Sequence, residues 1–351
     1  MKSWKTSFCE LSLRNIGLLP IVFCWLLFPF TAHPQGEQNL SPKAKKYLQE
    51  FFEIAEQNSL LRDSVNWPEF REFVYSKAVN AQSLKDCYKP IEWGLAYIQD
   101  GHSFFLGAER SKEVLGLSTD SLKETTGPIR IPGPSPTGEV KDEIGIIKIP
   151  WFISGDRRIC QHFADTLQEV VKSLDSHSLK GWIIDLRENG GGYNWPMHAG
   201  ISALYEEDTV GYYLYPDGHS TPWILKNGVY DQGDPEDGGV SHPYRLKNQY
   251  LPIAILLSAE TASSGETLVV SFLGSHRVKT FGEATKGATT GNDVFILSDG
   301  SHLFLSTCRF ADRNGRAYFG PIQPDIPTDD SAEFDSINSL ERAVEWVQSL
   351  N

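Results

Sequence analysis

Trp182-Ile-Ile-Asp-Leu-Arg-Glu-Asn-Gly-Gly-Gly192 decides how this chain is read. Its first half is a short β-branched apolar run and its second a glycine cluster, the pattern of a buried strand entering a tight turn whose backbone N–H groups can face a ligand. The theme returns downstream, where Ile253-Ala-Ile-Leu-Leu257 precedes Thr261-Ala-Ser-Ser-Gly-Glu266 and a helical run to Leu273. Ser263 therefore falls where a strand turns into a helix, and its hydroxyl is presented at a helix N-terminus that favours developing negative charge. Ser264 is the adjacent rival. Ser263 and Glu266 before an apolar run also satisfy a capping box, in which the two residues close the helix end reciprocally.

Residues without Cβ at 190–192 let the backbone approach a reacting carbonyl, and an N–H of Gly191 or Gly192 with that of Ser264 would make an oxyanion hole. The structural alternative is a plain turn between core elements. A dinucleotide or nucleotide loop does not fit, because neither GxGxxG nor Walker spacing is present.

These two stretches belong to an ordered series with Asp100-Gly-His-Ser103, Gly145-Ile-Ile-Lys-Ile149, Gly282-Glu-Ala-Thr285 and Pro321-Ile-Gln-Pro-Asp-Ile326. In that order the chain resembles the C-terminal-processing (tail-specific) serine peptidase family, whose relatives include the tricorn core proteases and the interphotoreceptor retinoid-binding proteins. The resemblance covers most of the chain beyond its first segment. It implies a ClpP/crotonase-like β-β-α superhelix core with a small N-terminal α-helical domain, peptide or protein substrates, Ser263 as nucleophile and no cofactor.

Two branches of that family supply the base differently. One uses a lysine in Gly-Glu-Pro-Thr-x-Gly-Lys-Gly; here Lys286 falls two positions short of it. The tricorn-like branch takes a histidine from the end of the helical segment, which here is His102. Histidine is favoured because its free pKa lies near the operating pH, whereas a lysine must be shifted by several units. The alternative for His102 is a bond to local backbone at a turn. The tricorn-like branch also places a glutamate shortly before its Pro-Asp segment, but the matching position here is near Tyr318. Ser103 could bridge to a carboxylate, with Asp312 the nearest candidate, unless Asp312-Arg-Asn-Gly315 is only a hairpin turn. Asp185 and Arg187 read as strand-end structural residues. Two further readings share the fold: a non-catalytic ligand- or peptide-binding protein, and a Ser-Lys peptidase using Lys286.

The chain of 351 residues, 40% hydrophobic, can bury a full core. Lys2, Lys5 and Arg14, the apolar stretch Ile16–Phe30 and Thr31-Ala32 follow the plan of a secretory signal peptide over residues 1–32. Export to a periplasmic or extracellular location, without stable membrane insertion after cleavage, is the expectation. Loss of that segment, which carries three basic and one acidic residue, takes the net charge from −13 to −15. Nucleic acid is excluded as a partner class, since binding it needs clustered cations. Cys87, Cys160 and Cys308 would remain, enough for one disulfide at most, and neither CxxC nor HExxH suggests a metal.

Residues 42–106 carry apolar positions at helical spacing and form the expected N-terminal helical domain. Residues 107–139, rich in Gly, Pro, Ser and Thr, read as a linker or loop. A substrate-tethering PDZ domain, carried there by many family members, needs about 90 residues and does not fit. From 140 to 351, strand-like and helical runs alternate as an α/β catalytic core. Residues 206–250 read as an excursion edging the cleft, offering Tyr212, Tyr213, Tyr215 and Trp223 to substrate side chains.

Overall fold

A computed structural model describes residues 39–115, 131–206, 208–233, 237–330 and 338–350. The expected signal peptide lies outside them, as does the middle of the expected linker. Among the described residues no helix is long and apolar enough to cross a membrane.

The N-terminal helices start at their caps. Ser41 accepts the Ala44 N–H at the head of α1 (Pro42–Asn58), where Pro42 has no N–H to leave unpaired. Asn66 accepts the Glu69 N–H at α2 (Trp67–Lys77), and α3 (Tyr88–Ile98) stops at Gln99, whose φ of 61° is left-handed. Their inward faces bury Phe51, Phe52, Phe70, Val74, Ile91 and Leu95. Beyond β1 (Phe104–Leu106), the short helix α4 (Ala108–Val114) occupies the start of the segment expected as a linker.

The remaining elements follow as β2 (Thr137–Lys141), β3 (Ile144–Lys148), α5 (Arg157–Leu174), β4 (Gly181–Asp185), α6 (Asn194–Gly200), β5 (Thr209–Leu214), β6 (Ser220–Lys226) and β7 (Val229–Asp231). Then come β8 (Ile253–Leu257), α7 (Ser264–Phe272), β9 (Val278–Gly282), β10 (Thr290–Ile296), β11 (His302–Asp312), β12 (Ile326–Pro327) and α8 (Ser339–Ser349). One sheet runs β12-β9-β8-β4-β3-β2, parallel except for the β2–β3 edge. Strands β4 and β8 are buried at every position, as expected where helices cover both faces. Side chains alternate between the two layers: Ile183, Ala254 and Leu256 pack with Ala343 and Val347 of α8, while Trp182, Ile184 and Ile255 join Phe163, Leu167 and Val171 of α5. The apolar runs that look continuous in sequence thus serve two cores at once.

The second sheet is antiparallel, in the order β1-β11-β5-β6-β7, with β10 also on β11. Strand β11 stitches the helical segment to the rest, because Leu303 and Leu305 lie in the helical cluster while Phe310 lies in the main one. Tyr47 and Tyr88 reinforce the seam by donating to Asp299 at 2.9 and 2.6 Å. The excursion at 206–250 supplies β5, β6 and β7. Trp223 there is fully buried, with Tyr213 edge-on against it, so Trp223 cannot stack on a substrate as expected, while Tyr212, Tyr213 and Tyr215 are half-buried. Cys87, Cys160 and Cys308 are separate, buried free thiols.

Candidate active site

At the carboxyl ends of β4 and β8 two loops are laced together. Thr261 Oγ1 donates to the Leu186 carbonyl at 2.8 Å, Ser258 Oγ to that of Arg187 at 2.5 Å, and the Ala262 N–H to that of Asn189 at 3.0 Å. Asn189 is fully buried; its amide donates to the carbonyls of Ile149 and Pro150 at 3.1 and 3.3 Å, and its Oδ1 accepts the Gly191 N–H at 2.9 Å. A Cβ on Gly191 would stand 2.8 Å from both the Ala262 carbonyl oxygen and Ser263 Cβ, and one on Gly192 would stand 1.9 Å from the Phe152 oxygen. The glycines are therefore required by contact as well as by their φ of 96° and 116°.

Ser263 has φ 52° and ψ −118°. A non-glycine residue held there costs on the order of 1–3 kcal/mol and marks a sharp strand-to-helix turn that lifts the side chain clear of the helix. Of the capping box the Glu266 half is formed, its Oε2 accepting the Ser263 N–H at 2.9 Å, but the Glu266 N–H donates to the Ser263 carbonyl at 2.8 Å and the serine hydroxyl makes no cap hydrogen bond. Ser263 is half-buried, within reach of solvent. The rival Ser264 is buried and its hydroxyl donates to the Gly192 carbonyl at 2.7 Å, clamping the glycine loop to the head of α7.

With the Gly191 N–H committed to Asn189, the Gly191 half of the expected oxyanion pair is withdrawn. Among the described residues the N–H groups of Gly192 and Ser264 have no backbone partner. They remain as the pair beside Ser263.

Glu266 is fully buried, and burial raises its pKa. Donors oppose that rise: Ser263 N–H at 2.9 Å, Thr285 Oγ1 at 2.5 Å and Gly287 N–H at 2.9 Å. The carboxyl fixes the segment after β9 beneath the Ser263 turn. Three residues beyond Gly287, at most about 11 Å of chain, Thr290 Oγ1 lies 2.9 Å from His102 Nδ1. Thus a short strap connects the serine turn to the histidine.

His102 sits in a turn built by Asp100, whose Oδ1 accepts the N–H of His102 and of Ser103 at 3.0 and 2.7 Å. Burial lowers the pKa of the imidazole; the charge of Asp100 and the backbone of Thr290 oppose the shift. The expectation that a ring nitrogen merely meets local backbone is not met, for the partner is a hydroxyl 188 positions away. The expected carboxylate is also misplaced. Ser103 does donate to a carboxylate, but it is Asp100 at 2.5 Å, and Ser103 accepts the Ser306 N–H at 2.8 Å. Asp312 closes its own turn instead, accepting the N–H of Asn314 and Arg316 and the Tyr318 hydroxyl at 2.9, 3.1 and 2.9 Å. Lys286 is exposed, and its N–H donates to the Thr261 carbonyl at 2.9 Å. Such exposure lacks the water-excluding pocket in which a lysine is activated. Asp185 and Arg187 pair at 2.7 Å and extend to Asp330, a strand-end cluster.

Missed in the sequence were Asn189, Thr290, Asn292 and Ser306, and the apolar pair Trp151 and Ile153. The pair remains partly exposed on either side of Phe152, whose backbone brackets the glycine loop through Phe152 N–H to Gly191 O at 3.1 Å and Tyr193 N–H to Phe152 O at 2.6 Å. Only Asn189, inside the quoted stretch, carried a visible signal. Among the described residues no cluster of three or more His, Cys, Asp or Glu could hold a metal ion.

The model of peptidase family S41 matches residues 143–328, just over half of the chain. A nisin-resistance protein of Lactococcus lactis subsp. lactis is 28% identical over 309 residues, 88% of each chain. A chloroplastic carboxyl-terminal-processing peptidase 2 of Arabidopsis thaliana is 25% identical over 245 residues, 66% of this chain and 42% of the plant protein. The solved structure of a lipoprotein from Streptococcus agalactiae superposes with a TM-score of 0.70 at 26% identity, covering 96% of this chain and all of that one.

Proposed function

This chain belongs to peptidase family S41, and from that footing we propose that it is an exported serine peptidase in which Ser263 attacks a peptide carbonyl and His102 receives the serine proton. The observation that carries the reading is the Ser263 turn itself, a strained φ,ψ pair with the glycine loop pressed against its Cβ. The turn raises a hydroxyl toward amides able to stabilise an oxyanion, Gly192 and Ser264. His102 then returns the proton to the leaving amine, and water repeats the cycle on the acyl-enzyme. The exposure of Lys286 argues against the Ser-Lys variant.

Trp151 and Ile153 flank the glycine loop and form an apolar rim for the substrate residues next to the scissile bond. Export rests on the N-terminal sequence pattern, and relatives named as a lipoprotein and a nisin-resistance protein agree with a cell-envelope location. Nisin, from that relative's name, is a first molecule to offer the enzyme alongside unstructured peptides.

An active-site serine phosphonate, followed by mapping of the modified peptide, tests the assignment. Ser263 should carry the label, and Ser263→Ala should abolish both labelling and hydrolysis while unfolding shifts by no more than about 1 kcal/mol. Undiminished labelling in that variant would overturn the Ser263 assignment, whereas a folded wild type that neither labels nor cleaves would favour a binding protein on this fold.

A further inference from the structure

His102, Thr290, Ser306 and Asn292 form a closed ring of hydrogen bonds. His102 Nδ1 lies 2.9 Å from Thr290 Oγ1; Thr290 Oγ1 lies 3.1 Å from Ser306 Oγ; Ser306 Oγ lies 2.9 Å from Asn292 Oδ1; and Asn292 Nδ2 lies 3.0 Å from the carbonyl oxygen of His102 itself. Ser306 is fully buried and Thr290 nearly so, so each polar atom must be satisfied within the protein. A register shift between Gly291 and Asn292 aims two residues of β10 at the same serine of β11.

The proton positions in this ring follow from chemistry alone. A backbone carbonyl only accepts, so the NH2 of Asn292 must face His102 O and the amide oxygen must face Ser306. That oxygen also only accepts, so the Ser306 hydroxyl spends its proton there. Ser306 Oγ can then only accept from Thr290, whose single proton is spent in turn. Thr290 Oγ1 has nothing left to donate to the imidazole. Nδ1 must therefore carry the ring hydrogen, and Nε2 must present its lone pair.

We infer that this ring sets the tautomer of His102, with Thr290 as the positioning residue that holds the imidazole as an Nδ1–H, Nε2-acceptor form. The usual device for this is a carboxylate on the far nitrogen; here a neutral chain of two hydroxyls and an amide does it, anchored on the histidine's own carbonyl. The inference concerns the tautomer and stands apart from the peptidase reading, which gives that tautomer its use. In that use Nε2 accepts the Ser263 proton while Nδ1 keeps its own, and no proton passes through the ring.

The experiment is long-range 1H–15N correlation NMR on the full chain labelled in histidine, above the pH at which the imidazoles titrate, with His102 assigned by its loss in His102→Gln. Wild type should show His102 protonated on Nδ1 and bare on Nε2. Thr290→Val should move the population toward Nε2–H and slow phosphonate labelling by about 10²-fold or more, and Thr290→Ser should restore both. A wild-type spectrum with the proton on Nε2 overturns the inference without any variant, whether or not Thr290→Val folds. An unmoved tautomer in a folded Thr290→Val protein overturns it as well. A moved tautomer with an unchanged labelling rate upholds the ring and instead removes His102 from the base role.

Discussion

The two halves of the site are held by opposite means. Around Ser263 almost every bond ends on main chain: the Thr261 and Ser258 hydroxyls donate to carbonyls of Leu186 and Arg187, Asn189 and Glu266 accept backbone N–H groups, glycines permit close approach, and β8 turns sharply into α7. Around His102 it is done by side chains on β10 and β11, nearly two hundred positions away in sequence. The first arrangement is stiff because backbone contacts leave no room for a Cβ. The second is chemically selective, because it fixes where a proton sits. In the proposed reaction nucleophile and base ask for different things, position and protonation state, and each half is built to supply what its group needs.

The contrast breaks most visibly at the base. His102→Ala should lower turnover by about 10³-fold, within the usual range for loss of a general base, while Lys286→Ala changes it less than about twofold. Steady-state hydrolysis of one peptide by both variants decides it, and the reverse pattern would hand the base role to lysine. The same pairing has a pH signature. Since burial lowers the pKa of His102, the neutral, proton-accepting form persists to more acid pH than for a free imidazole. The rate should therefore rise with pH and reach half its plateau below about 6.5. A midpoint well above that value would contradict the buried setting.

A smaller effect is expected from stiffening the other half. In Gly191→Ala the new methyl would press on the Ala262 carbonyl and on Ser263 Cβ, both at 2.8 Å, and the φ of 96° disfavours any side chain. Turnover should fall about 10²-fold through loss of the oxyanion geometry, with the pH midpoint unmoved because His102 is untouched. A shifted midpoint would mean that the two halves are not separable. The smallest effect separates Asp312 from both. Asp312→Asn should destabilise the protein by about 1 kcal/mol through its turn and leave turnover unchanged. Denaturant unfolding and kinetics on the same sample give both readings, and a large kinetic loss would return Asp312 to the catalytic apparatus.

The half built from main chain was legible in the sequence. Strands, glycine loop, serine turn and the order of the motifs all lie in short continuous stretches where one residue type has one physical use. The other half was not. Thr290, Asn292 and Ser306 are ordinary strand residues whose importance comes from a bulge and a register across β10 and β11, and local spacing carries neither. Spacing alone therefore offers a carboxylate, with Asp312 the nearest candidate beside its hairpin-turn alternative, and the turn is what the structure shows. Trp223 was misread for a related reason. An aromatic-rich segment between core strands looks like a rim until pairing with β11 and the excursion's own hairpin turns it inward.

Strand β11 gives the chain a timetable. The turn bearing His102 and its Asp100 anchor leave the ribosome early, yet the ring around the imidazole cannot close until residue 306 has emerged and paired, when most of the chain is already made. A nascent molecule thus carries the histidine without the ring that settles its tautomer. The ring can therefore close only after β11 has paired, late in synthesis.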